Sequence, residues 1–211
     1  DVSLVGSEMC IRDSDRISKK LINPKPKFKF KKISKSIIQI DADDSIGFVA
    51  ADIGIKKAIE SAKKTGLGLV GIKRSGHYGL SGYYAEQAVK KNLLTLIFTN
   101  APPAIAPHGA LKTLFGTNPI CFGTPTSSKV PFILDTSVSM INRGKIRVAA
   151  RTGTKIPEGV ALDKYGRPTT DAAKALKGVQ LPIAGFRGSG LAWMVDLSLI
   201  HISEPTRLTS I

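Results

Sequence analysis

A histidine flanked by glycines is the strongest chemical signal in the sequence. Residues 74–79 read Arg-Ser-Gly-His-Tyr-Gly and follow an apolar run that predicts a β-strand. Glycine lets the backbone approach a ligand closely, and an imidazole suits proton transfer near neutral pH. His77 is therefore a candidate for proton transfer, although a loop histidine bonded only to the backbone would show the same pattern.

Polar residues also stand at the end of a second apolar run, residues 132–134. Asp135, Thr136 and Ser137 present a carboxylate and two hydroxyls there, and Lys145 adds a cation further along the chain. Binding sites in α/β proteins often lie at strand ends. A helix N-cap uses the same residue types, so both interpretations stay open.

Two glycine-containing segments carry further candidates. Thr117 lies in Gly-Thr-Asn-Pro at residues 116–119, which by itself predicts a turn. Arg187 lies in a basic, glycine-rich stretch at residues 185–190, before a predicted helix, where a phosphate could bind; an ordinary loop is the alternative. His108, the other histidine outside the two chain ends, lies between a proline and a glycine, which favours a structural role in a turn.

Residues 66–71 fit the pattern G-x-G-x-x-G, which in a Rossmann fold follows a strand and opens a helix. Here the order is reversed, because a helix is predicted over residues 47–65 and a strand over residues 67–72. The glycines are better explained as the end of that helix and the start of that strand. The motif therefore does not indicate a dinucleotide site.

The elements that must position these residues alternate between helix and strand, which predicts an α/β fold. A chain of 211 residues suits one domain, or one and a part. The aspartate-rich residues 41–45 are typical of a turn and helix cap. Further strands are expected at residues 36–41, 93–99, 119–123 and 132–134, and further helices at residues 83–91, 171–176 and from residue 188.

The net charge of +15 is partly local, in the lysine-rich residues 25–32. Such a run could bind nucleic acid or acidic lipid, but an exposed edge strand or loop is the preferred interpretation, so neither partner is expected. No apolar run approaches the roughly 20 residues of a membrane span, and no secretory leader opens the chain. Cys10 and Cys121 match no metal or redox spacing, so we expect a reduced, cytoplasmic protein without a metal.

The two ends differ in character from the body. Residues 1–14 and 197–211 resemble translated sequencing-library adapters, which are excluded from fold reasoning. The prediction is a partial domain over residues 15–196, from a natural protein that extends further at both ends.

The order of motifs in the body resembles the malate/L-lactate dehydrogenase family, which includes ureidoglycolate and sulfolactate dehydrogenases. Three positions depart from its usual residues: Val160 replaces Trp, Ala184 replaces Gly, and Arg187 replaces Lys, keeping the charge but changing its geometry. The matching segments are Gly76-His-Tyr-Gly79, Gly82-Tyr-Tyr84, Thr99-Asn100, Pro107-His-Gly109, Gly116-Thr-Asn-Pro119, Leu134-Asp135, Arg143-Gly-Lys145, Ile156-Pro-Glu-Gly159, residues 163–171 and residues 181–188.

The resemblance implies a mixed-sheet α/β domain, usually a homodimer, that binds NAD or NADP without a Rossmann fold. It implies hydride transfer between nicotinamide C4 and C2 of a 2-hydroxy or 2-keto acid. By this resemblance His77 would contact the nicotinamide and the substrate and accept a proton, and Thr117 would bind the substrate. Lys145 would belong to a catalytic polar network. The cofactor would contact Asp135, Thr136, Ser137 and Arg187.

A Ser-His-Gly motif with a following arginine, which the family carries near its N-terminus, has no counterpart in residues 1–35. The family's C-terminal segment, which completes the cofactor site, is also missing, so we expect this chain alone to be inactive. Two alternatives to an oxidoreductase are kept: a basic module that binds nucleic acid, and a non-catalytic relative of the family.

Overall fold

The computed structural model describes residues 13–203. Outside this range lie residues 1–12, which include Cys10, and residues 204–211, all within the ends predicted to be adapter-like. Helices and strands alternate, which confirms the α/β class. The described helices are α1 (residues 13–18 of the described part), α2 (Gly47–Thr65), α3 (Ser81–Val89), α4 (Arg143–Thr152), α5 (Ala172–Lys177) and α6 (Phe186–Ser203). The strands are β1 (Lys29–Lys32), β2 (Ile37–Ser45), β3 (Leu69–Ser75), β4 (Thr95–Phe98), β5 (Ile120–Thr124), β6 (Phe132–Thr136), β7 (Ala161–Leu162) and β8 (Val179–Gln180).

The described chain divides into two compact units, the first comprising residues up to Thr95 together with Gly123–Ile133. Its sheet has the order β1-β2-β3, with β2 antiparallel to β1 and parallel to β3, so the sheet is mixed as expected. Helix α2 connects the parallel pair and Ile40 is fully buried. The second half of the lysine-rich run forms the edge strand β1, whose four residues are exposed, in agreement with the preferred interpretation of an exposed edge strand or loop.

Helix α2 has the predicted bounds and ends where glycine is needed. Gly66 is left-handed (φ 81°), and its backbone N–H bonds the Ala62 carbonyl at 2.8 Å. A side chain at Gly68 would overlap the Ala58 carbonyl, so that glycine permits a close backbone approach. Since the strand β3 follows, the glycines have the structural roles that the sequence indicated.

The prediction of a turn over residues 41–45 was wrong, because β2 continues to Ser45. Its register against β3 shifts between Asp41 and Ser45, and Asp43 and Asp44 have positive φ of 53° and 58°. The guanidinium of Arg74 bonds both of these carboxylates and that of Asp41. Arg74 lies in β3 rather than in the predicted loop, so the compensating charge comes from a strand distant in sequence.

The second unit comprises Leu96–Phe122 and Leu134–Leu199. Strands β7 and β8 pair as an antiparallel hairpin, and α4 and α5 pack on a shared apolar cluster. Helix α4 was not predicted: only Ile146 and Ala149 are buried along its ten residues, so its apolar periodicity is short. A second three-stranded sheet of the protein has the order β4-β5-β6.

Helix α6 begins at Phe186, two residues before the predicted start. Arg187 therefore lies in its first turn, and the prediction of a loop at this residue was wrong. The backbone N–H of Ser189 already bonds the Gly185 carbonyl at 3.2 Å, which draws the glycine-rich stretch into the helix. Within residues 13–203, none of the helices is long and apolar enough to cross a membrane.

Candidate active site

A cleft of about 460 Å³ in the second unit collects four of the residues predicted from the sequence. Asp135, Thr136 and Ser137 line it from the end of β6, and Lys145 lines it from the first turns of α4. The cleft thus brings these four residues together, while their assignment as site residues stays a prediction. The cleft is also lined by Ser139, Met140, Ile141, Asn142, Ala149, Lys155, Ile156 and Pro157.

Hydroxyl groups determine which hydrogen bonds the cleft wall at residues 135–139, at and just beyond the end of β6, can form. Ser139 Oγ donates to the Ile141 carbonyl at 2.9 Å and lies 3.0 Å from Ser137 Oγ. Because a serine hydroxyl has one proton, Ser137 must be the donor in the Ser137–Ser139 contact. Ser137 Oγ is then left with acceptor lone pairs, and the Asp135 carboxylate is an acceptor as well. This wall is therefore suited to ligand groups that donate hydrogen bonds.

Lys145 is held by its neighbours on α4. Ile146, 1 % exposed, anchors the helix in the apolar cluster, and Asn142 caps it by accepting a 2.7 Å hydrogen bond from the Gly144 backbone N–H. The Lys145 side chain is exposed, and within the described part of the chain it forms no ion pair or hydrogen bond. Its ammonium group is therefore available to an anionic ligand.

Thr117 is fixed through its backbone next to this wall. Its carbonyl accepts the Val138 backbone N–H at 3.0 Å, and Val138 is fully buried. Its neighbour Asn118 is also fully buried, accepts from the Ala101 backbone N–H at 3.3 Å, and donates to the Ala192 carbonyl of α6 at 3.2 Å. Asn118 is thus a positioning residue that the sequence had indicated only as part of a turn.

His77 belongs to the first unit, on the exposed loop between β3 and α3. Its Nδ1 accepts a hydrogen bond from the Gly79 backbone N–H at 3.1 Å. The neutral imidazole therefore carries its proton on Nε2. Gly47, at the start of α2, lets that helix lie directly against the Gly76 and His77 backbone, where a side chain would overlap their carbonyls.

Arg187 and His108 do not line the cleft. The exposed guanidinium of Arg187 lies 5.2 Å from the centroid of the Phe186 ring, and its assignment as a cofactor contact stays a prediction. The His108 backbone N–H donates to Ser189 Oγ at 2.8 Å, in the structural turn expected for it.

A buried thiol lies on β5 in the same unit. Burial, together with the charge of Asp135, raises the pKa of Cys121 to about 11, so this thiol is neutral at physiological pH. Across the residues that the structure describes, no cluster of three or more His, Cys, Asp or Glu side chains could hold a metal ion.

Three polar residues of the cleft were missed in the sequence: Ser139, Asn142 and Lys155. Ser139 and Asn142 follow Ser137 closely, so extending the strand-end segment would have found them. Lys155 directly precedes the motif that begins at Ile156, but a single lysine among 31 basic residues carries no signal of its own.

The chain is similar to known dehydrogenases over most of its length. The family model described as malate/L-lactate dehydrogenase matches residues 5–200. The chain belongs to this family. It is 43% identical over 176 residues to the L-sulfolactate dehydrogenase of Methanocaldococcus jannaschii, covering 83% of this chain and 51% of that protein. It is 41% identical to the (2R)-3-sulfolactate dehydrogenase (NADP(+)) of Chromohalobacter salexigens, covering 78% of this chain and 50% of that one.

Solved structures agree with the sequence relatives. The sulfolactate dehydrogenase structure from Methanocaldococcus jannaschii matches with a TM-score of 0.78 and 41% identity, covering 86% of this chain and 52% of that one. This confirms the non-Rossmann family fold expected from the motif order. The chain spans about half the length of the curated relatives it matches.

Proposed function

We propose that this chain is the central part of an NAD(P)-dependent dehydrogenase that interconverts 2-hydroxy and 2-keto acids. The observation that carries the proposal is that this member of the family has one cleft lined by Asp135, Thr136, Ser137 and Lys145. Family membership supports an oxidoreductase over a basic nucleic-acid module, and the lysine-rich run is accounted for as an edge strand.

The cleft residues fit a dinucleotide. Ribose hydroxyls donate hydrogen bonds, and the Asp135 carboxylate and Ser137 Oγ both accept them. Lys145, assigned to the catalytic polar network, has an ammonium group without a protein partner in the described part of the chain, so it can attract an anionic group of the cofactor or substrate. A volume of about 460 Å³ falls within the range of about 300–1,000 Å³ that is typical of small-molecule sites.

A nicotinamide supplies the hydride in this chemistry when the cofactor is bound. The protein must then stabilise the negative charge that develops on the carbonyl oxygen of the substrate. We assign His77 to this task as a hydrogen-bond donor through Nε2, since its Nδ1 is engaged by Gly79. Proton acceptance by the neutral ring at Nδ1 would require breaking that bond. Thr117 would hold the substrate through its side-chain hydroxyl.

The substrate class follows from the family name and from the relatives. The names of the two relatives state sulfolactate as the substrate, and the family name states malate and lactate. These are small 2-hydroxy acids, and sulfolactate and malate carry a second anionic group. We propose the same class for the full-length parent of this chain, acting as a cytoplasmic homodimer with NAD or NADP.

Turnover by the full-length parent tests the proposal. The parent would be assayed with NADH and with NADPH against pyruvate, oxaloacetate and sulfopyruvate, by loss of absorbance of the reduced nicotinamide. We expect the reduced nicotinamide to be oxidised in the presence of at least one of these acids. Absence of turnover with all three would contradict the proposed activity, and a folded parent that binds NADPH without turnover would indicate a non-catalytic relative. A His77→Gln parent that keeps full turnover would remove the role assigned to that residue.

A further inference from the structure

We propose that Lys155, a lysine of the cleft to which the sequence assigned no role, binds a phosphate group of the dinucleotide. The inference rests on the proposed function, because it names a further residue of the same site. It follows from where Lys155 is anchored, from its lack of a protein partner, and from the charge of the cleft.

The backbone of Lys155 is held by two features. It pairs with Asp171 as an antiparallel bridge, and the next residue, Ile156, donates its backbone N–H to the Thr170 carbonyl at 2.9 Å. Ile156 is 4 % exposed and belongs to the same apolar cluster as Ile146. Lys145 and Lys155 are therefore each adjacent to a buried isoleucine of one cluster, and this places both lysines on one cleft.

The nearby carboxylate that could neutralise Lys155 is already used. Asp171 accepts the backbone N–H groups of Ala173 and Lys174 at 2.9 and 3.1 Å, as the N-cap of α5. It also pairs with the Lys174 ammonium group at 3.7 Å. Lys155 itself forms no side-chain hydrogen bond or ion pair within residues 13–203. A cation held at a concave surface without a partner is suited to an anionic ligand.

The charged residues lining the cleft are Asp135, Lys145 and Lys155, so positive charge exceeds negative charge there. The wall of acceptors at Asp135 and Ser137 suits hydroxyl groups and repels phosphates. The two lysines provide the cationic part of the lining, and Lys145 already has a proposed place in the catalytic polar network, so Lys155 is the cation assigned to a phosphate. We therefore place the phosphate next to Lys155 and away from Asp135 and Ser137.

The test compares NADH and NADPH binding to the full-length parent and its Lys155→Gln variant by calorimetry. Lys155→Arg keeps the charge, and Lys112→Gln removes a lysine that is exposed, lies in the same unit and does not line the cleft. We expect Lys155→Gln to weaken binding about tenfold, the scale of a hydrogen bond to a charged group. Lys155→Arg should retain most of the affinity, and Lys112→Gln all of it.

The two cofactors distinguish the phosphates. Equal weakening of NADH and NADPH binding assigns Lys155 to the pyrophosphate, and weakening of NADPH binding alone assigns it to the 2′-phosphate. Unchanged affinity of Lys155→Gln for both overturns the inference but leaves the proposed function intact. Failure of the unaltered parent to bind either cofactor overturns both. Circular dichroism of each variant would establish that it is folded.

Discussion

The Gly79 backbone N–H lies 3.1 Å from Nδ1 of His77 and donates a hydrogen bond to it. The bond joins two residues of one short loop, so it contributes to the orientation of the imidazole from within that loop. It also fixes which nitrogen carries the proton in the neutral ring. Nε2 is the atom to which the proposed role of hydrogen-bond donor is assigned.

The first prediction concerns this tautomer. In the chain labelled with 15N at histidine, at a pH where the ring is neutral, Nε2 of His77 should have the chemical shift of a protonated nitrogen and Nδ1 that of an unprotonated one. Long-range 1H–15N correlation spectra measure both directly. A spectrum with the proton on Nδ1 would be incompatible with the Gly79 bond and with the role assigned to Nε2.

The second prediction separates backbone strain from steric contact at two glycines with nearly equal φ, Gly66 (81°) and Gly79 (83°). Gly66→Ala should lower the free energy of unfolding by about 1–2 kcal/mol, the cost of the left-handed conformation, because open space surrounds its Cβ. Gly79→Ala should cost more, because its Cβ would lie 2.7 Å from Cε1 of Phe48.

Urea denaturation of the two variants provides the comparison, with Gly66→Ala as the matched control. The His77 spectrum should change in Gly79→Ala and stay as it is in Gly66→Ala. Equal losses of stability with unchanged His77 spectra would show that the Phe48 contact does not shape this loop.

The third prediction concerns the ion pairs between β2 and β3. A hydrogen bond from the Lys27 backbone N–H, together with Arg74, holds the pKa of Asp43 below its ordinary value. Because the folded-state pKa is lowered, the stabilisation is present above the unfolded-state pKa near 3.8 and is lost as the pH falls through the folded-state value.

Arg74→Gln should raise the pKa of Asp43 only part of the way, since the Lys27 hydrogen bond remains. Carboxyl 13C shifts followed against pH would measure this. Arg167→Gln is the control, because Arg167 pairs with Asp163 and does not contact Asp43. A pKa of Asp43 that is unchanged by Arg74→Gln would mean that Arg74 takes no part in lowering it.

The fourth prediction concerns Cys121, whose pKa is raised by burial from 9.0 to about 11. At pH 9 about half of this thiol would be ionised in the unfolded chain but only about one per cent in the folded chain. Since the folded-state pKa is raised, its contribution to stability is present below pH 9 and is lost as the pH rises toward 11.

Alkylation of Cys121 with iodoacetamide at pH 9, followed by mass spectrometry of the Cys121 peptide, should therefore be much slower in the native chain than in 6 M guanidinium chloride. The melting temperature should also fall between pH 9 and 11. Equal alkylation rates in the two states would contradict the buried, neutral thiol.

The parts of the fold that were predicted correctly depend on local signals. Helix α2 is long, with apolar residues near helical spacing, and ends at Gly66, so the signals that define its bounds lie within the segment itself. The turn predicted at Asp41–Ser45 was wrong for the opposite reason. Three aspartates favour a turn locally, but Arg74, on a strand far along the chain, compensates their charge and keeps them in β2.

The residues of the site also differ in whether a local sequence signal could predict them. Asp135, Thr136 and Ser137 are visible as polar residues that end an apolar run, whereas Lys155 joins them through tertiary packing of Ile156 with Ile146. Motif order could identify the family, because it depends on the sequence alone. It could not show that the Ser137 hydroxyl proton is directed at Ser139, which is a property of the folded backbone.

One measurement tests the assignment of the cofactor site most directly. NADH and NADPH would be titrated into the 15N-labelled full-length parent while backbone amide shifts are recorded. The largest changes are expected at Thr136, Ser137 and Lys145, in the cleft between the end of β6 and the start of α4. Changes confined to the lysine-rich residues 25–32 or to the glycines of residues 66–71, or no changes at millimolar cofactor, would contradict it.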